Sequence, residues 1–67
     1  MVANKIIEHI LGFELCEKLA PIYGKRIWLA PSLPYFTEYK LQKAHDIAVA
    51  RGKVSYGYLL GVMKRLV

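Results

Sequence analysis

YGKRIWLAP (residues 23–31) separates two stretches of helical periodicity and does not share their period. Arg26, Ile27, Trp28 and Leu29 alternate long polar or aromatic with aliphatic side chains between Gly24 and Pro31, the pattern of a half-buried strand. A strand needs a neighbour for its backbone donors and acceptors, and no second segment of this chain reads as one. Two copies related by a two-fold axis supply it. Each strand then pairs with its symmetry mate as an antiparallel ribbon, with helices from both copies over it and Trp28 near the axis. The expected fold is therefore mainly α, three or four short helices with one short β-strand at about residues 25–29 that pairs across a homodimer. Arg26, Ile27, Trp28 and Leu29 are its expected dimerisation residues. The alternative is an extended loop laid over the helices.

The 67 residues make one small domain, residues 1–67, with a dimerisation element at 1–31 and a basic helical pair at 35–67. A monomer of this size buries only about 60% of its unfolded surface. Apolar residues nevertheless make up 55% of the chain, and Cys16, the one cysteine, has no partner for an internal disulfide. A lone thiol on an apolar helix face is a small core residue. Without a disulfide framework or a signal-peptide pattern, the expected compartment is the reducing cytoplasm. The most apolar segments, 27–36 and 54–63, are interrupted by Pro, Gly or Ser and fall short of the roughly 20 residues of a spanning helix. No membrane partner is expected, so the apolar surplus points to self-association.

Around the central segment the helical signals are local. Asn4 is a candidate N-cap for a run carrying Ile6, Ile7, Ile10 and Leu11. Phe13, Leu15, Cys16, Leu19 and Ala20 continue that run beyond Gly12, which either separates two helices or sits inside one. A further helix is expected to start between Pro34 and Thr37 and end at Arg51, with Gly52 as its C-cap. Leu41, Ala44 and Ala48 form its buried stripe, with Glu38, Gln42, His45 and Asp46 facing away. Ser55 caps the last helix, whose Gly57 and Gly61 lie one turn apart and are expected to pack against Ala44 or Ala48. Lys64 and Arg65 suit the negative end of its dipole.

Charge divides the chain. Residues 1–22 carry Lys5 and Lys18 against Glu8, Glu14 and Glu17, a net of −1. Residues 23–67 carry eight Lys or Arg against Glu38 and Asp46, a net of +6. Either an anion-facing element in the second half or a solubilising surface is the implication. Lys40, Lys43, Arg51 and Lys53 are the candidate DNA- or partner-binding cations, with Tyr39, Tyr56 and Tyr58 as candidate contact residues. Neighbours in a helix point about 100° apart, so His45 and Asp46 do not converge, and no further His or carboxylate completes a catalytic or metal set. No enzyme activity, metal or cofactor is expected.

The segment at residues 10–31, ILGFELCEKLAPIYGKRIWLAP, resembles the dimerisation part of the Mor/C family of transcription activators from Mu-like phages. Leu15, Leu19, Tyr23, Gly24, Ile27, Trp28 and Pro31 carry the resemblance, with one glycine where that family usually has two. It implies a dimer whose strands pair between subunits, followed by a helix-turn-helix. Only one helix follows Gly52 here, so either that helix reads DNA or a reading helix is absent.

Two functions are therefore expected as alternatives. One is a small dimeric phage-type DNA-binding transcription regulator. The other is a dimeric interaction protein that binds and inhibits a host protein through an acidic surface on that protein.

Overall fold

The structure, a computed structural model, describes the backbone of residues 2–66 and the side chains of residues 10–66. Helix α1 (Val2–Tyr23) leads into a 3-10 helix (Lys25–Ser32), followed by α2 (Glu38–Arg51) and α3 (Tyr56–Arg65). The mainly helical expectation holds. The strand does not, because among the described residues there is no strand at all.

The 3-10 helix removes the need for a pairing partner. Its donors and acceptors are met by bonds three residues apart, such as Ile27 N–H to Gly24 C=O at 3.2 Å and Leu33 N–H to Ala30 C=O at 3.1 Å. Burial follows the same period of three. Ile27 and Ala30 are fully buried, while Arg26, Leu29 and Ser32 form an exposed row. Over four residues, periods of two and three differ at too few positions to be told apart. Ile27, expected in an inter-subunit ribbon, thus lies in the core of its own chain, and Arg26, Trp28 and Leu29 remain exposed without a ladder.

Gly24 makes the sharp passage between the two helices. Its φ of +84° lies in the region that favours glycine, and its N–H closes α1 on Ala20 C=O at 2.7 Å. The 3-10 helix then runs back along α1. Cys16 Sγ donates to Ile27 C=O at 3.3 Å, and the Phe13 and Trp28 rings stack at 6.2 Å.

α1 continues unbroken through Gly12. It begins at Val2, so Asn4, expected to cap it, lies inside it. Gly12 is buried beneath Phe36, whose Cε1 stands 2.8 Å from where a Cβ would be and whose Cζ is nearer still. Phe36 beside Gly12 and His45 beside Tyr23 set α2 along the second half of α1.

α2 and α3 begin and end where local chemistry directs. Thr37 Oγ1 accepts from Lys40 N–H at 3.0 Å and Ser55 Oγ from Tyr58 N–H at 3.3 Å. Gly52, at φ +66°, ends α2 in a left-handed cap, its N–H donating to Val49 C=O while Lys53 N–H reaches Ala48 C=O. Leu41, Ala44 and Ala48 are fully buried as the periodicity predicts. The core joins Leu15, Cys16 and Leu19 of α1 to Ile27 and Ala30, Leu41 and Ala44, and Leu59, Val62 and Met63.

Two further expectations are corrected. Gly57 and Gly61 do not pack on α2, since a Cβ at either would meet nothing within 4 Å. α3 instead turns Leu59, Val62 and Met63 inward. His45 does not face away. It is partly buried, with Nδ1 2.8 Å from Tyr23 Oη, tying α2 to the end of α1.

Candidate functional site

Gly52, Lys53, Val54 and Ser55 form the four-residue connection between α2 and α3, and the candidate residues gather around it. Arg51 Nη1 donates to Tyr58 Oη at 2.9 Å, and Lys53 Nζ lies 5.8 Å from the centre of the Tyr58 ring. Tyr58 is therefore clasped by a hydrogen bond at its tip and a cation–π contact at its face, although both partners remain exposed. The arrangement holds two cations together at the mouth of the turn. It follows from helix geometry. Arg51 is the last residue of α2, Gly52 reverses the chain, and Tyr58 lies one turn into α3.

Lys40 and Lys43 lie three residues apart on α2, with Arg51 eight residues beyond Lys43, so the three follow one side of the helix. Their row is about 16 Å long at 1.5 Å per residue. It ends at the Arg51–Tyr58–Lys53 cluster. Lys53, beyond the end of α2, lies in the turn that follows.

The tyrosines do not form one set. Tyr58 joins the cations, but Tyr39 lies on the outer side of α2 and is 67% exposed. Tyr56 turns toward the core, where burial pushes its phenol up, Tyr35 pushes it further and Arg26 pulls it back. The two aromatic positions of α3 sit two residues apart, hence on opposite flanks.

Two cations of the last turn add to the site. Lys64 and Arg65 are exposed, with Lys64 Nζ 5.9 Å from the Tyr35 ring centre. Their place at the helix C-terminus already has a dipole explanation, and only the openness of the side bearing Gly57 and Gly61 shows them beside an accessible surface. No Asp or Glu follows Asp46 in the sequence, so nothing on α3 or its turn offsets these charges. Such a surface can hold an anionic backbone through phosphate oxygens or meet acidic side chains.

Among the described residues no group of His, Cys, Asp and Glu is arranged to hold a metal ion. Cys16 is buried under Ile27, and burial raises its thiol. No described helix is long and apolar enough to cross a membrane. Compared with protein-family models, curated proteins and solved structures, the chain matches none.

Proposed function

We propose that this chain is a small DNA-binding regulator of the phage type that works in the cytoplasm as a homodimer, with α2, its turn and α3 meeting the duplex. The observation that carries the reading is the acid-free, open side of α3, flanked by Arg51, Lys53, Lys64 and Arg65. Two helices joined by a short turn containing Gly have the connectivity of a DNA-binding helix-turn-helix. Gly57 and Gly61 leave α3 without bulk where a sugar-phosphate backbone must come close. Ser55 is spent as a cap, and Gly57 offers no side chain, so little on the first turn reads base edges. Affinity through phosphates and weak sequence preference follow. The resemblance of residues 10–31 to the Mor/C activators is consistent with this use, though their paired strands have no counterpart among the described residues.

A mobility-shift titration on random duplex at 50 and 200 mM salt tests the reading. Binding is expected at the lower salt. Each of Arg51→Ala, Lys53→Ala, Lys64→Ala and Arg65→Ala should lower the slope of log K against log salt by roughly one. No binding at 50 mM removes DNA as the partner.

Tyr39 favours a second reading. A tyrosine so exposed, beside Lys43 four residues on, suits docking on an acidic surface of a host protein that the chain inhibits. In that case Tyr39→Ala weakens binding by about 30-fold or more, while single charge changes act mainly on the association rate.

A further inference from the structure

We infer that the side of α1 turned away from the core, together with Trp28, is the seam of a homodimer. This rests on the homodimer of the proposed function and not on its DNA contact. α1 is apolar on two sides. Gly12, Leu15, Cys16 and Leu19 face inward, yet Ile10 and Phe13, three residues apart on the opposite side, stay 52% and 45% exposed. An apolar patch left in water on the outer side of a core helix, between Glu14 and Glu17, is covered only by a second layer. Trp28 extends the patch. Its ring stacks on Phe13 with planes 23° apart and remains 37% exposed, so the aromatic pair is already ordered before any partner arrives.

The charges beside the patch select a second copy as its occupant. Glu17 lies one turn beyond Phe13 on α1, about 6 Å along the axis at 1.5 Å per residue. Lys25 precedes Trp28 by three residues, which eclipses it in a 3-10 helix and sets it about 6 Å away at 2 Å per residue. Because the 3-10 helix runs back along α1, both displacements point the same way. A two-fold axis parallel to α1, between it and the 3-10 helix, therefore brings Phe13 against the partner's Trp28 and Glu17 against the partner's Lys25. One patch with opposite charges at equal heights is self-complementary, the requirement of an isologous contact. An acidic partner would find Glu14 and Glu17 in its way, both exposed on α1. Ile10, Phe13 and Trp28 leave roughly 250 Å² of side chain in water per copy, judged from the size of such side chains. That is the apolar centre of a small interface, so the dimer should dissociate in the micromolar range.

Sedimentation analysis from about 1 to 200 µM without DNA tests the seam, with emission from Trp28, the one tryptophan, followed over the same dilution. The unmodified chain should pass from dimer to monomer, its emission moving to longer wavelength as Trp28 is uncovered. Phe13→Glu should weaken the dimer about 30-fold or more while helical circular dichroism is kept. Glu17→Lys and Lys25→Glu should each weaken it several-fold, and the double variant E17K/K25E should restore it. Being surface changes, the charge swaps decide the matter even if Phe13→Glu fails to fold. A monomer at 200 µM overturns the inference, as does a dimer indifferent to all these changes. A dimer that binds no duplex leaves the seam standing and removes only the DNA reading.

Discussion

Gly12 and Gly61 are both glycines inside helices, and their surroundings give them opposite meanings. At Gly61 a methyl group meets open space, so Gly61→Ala should stabilise the protein by about 0.5–1 kcal/mol through helix propensity. At Gly12 the same methyl runs into Phe36, a ring packed against the core, and the resulting displacement should outweigh the propensity gain. Gly12→Ala should therefore lower stability by about 1 kcal/mol in denaturant melts. In a Phe36→Ala background its sign should reverse, since the obstacle is gone. Stabilisation by Gly12→Ala alone would show that the ring moves aside freely. The register with Leu15, Cys16 and Leu19 turns Gly12 inward, but the atom that decides its tolerance of a methyl lies 24 residues away, on Phe36.

At the scale of elements, the ends of α2 and α3 were legible, whereas the start of α1 and the identity of the shortest element were not. Thr37, Gly52 and Ser55 act within four residues of themselves, so side chain and backbone partner are both visible in the sequence. The 3-10 helix has no such local signature. Its Ile27 and Ala30 are buried because α1 lies behind them, not because of anything in residues 25–32. Gly24→Ala should test this passage, as φ +84° strains any other residue, with an expected loss of about 1 kcal/mol. An unchanged melting curve would mean that the turn relaxes without cost.

For the whole molecule, pH reports on burial. Cys16, Tyr23 and Tyr56 all have their ionisation raised by desolvation from reference values of 9.0 for the thiol and 10.0 for the phenols. The folded state favours the protonated form of each, so their contribution is complete below those values and is lost as pH rises through the folded ones. Denaturation midpoints should accordingly fall as pH climbs above about 9, first through Cys16 and then through the tyrosines. Tyr23→Phe should flatten the upper part of that decline. At neutral pH it should cost about 1 kcal/mol, by removing the hydroxyl that meets His45 Nδ1. A Cys16→Ser variant with an unaltered profile above pH 9 would count against the assignment.

What this sequence determined by itself was whatever depends on residues within a turn or two of each other. Helical character, the caps of α2 and α3, the stripe of Leu41, Ala44 and Ala48, and the cation row of Lys40, Lys43 and Arg51 all belong to that class. Tertiary structure decided what depends on contacts across the chain. It made residues 25–32 a 3-10 helix, put Phe36 over Gly12, joined Tyr58 but not Tyr39 or Tyr56 to the cations, and left Gly57 and Gly61 open. The physical reason is range. Caps and periodicity are energies between near neighbours in sequence, whereas burial is settled only when distant segments compete for the same core.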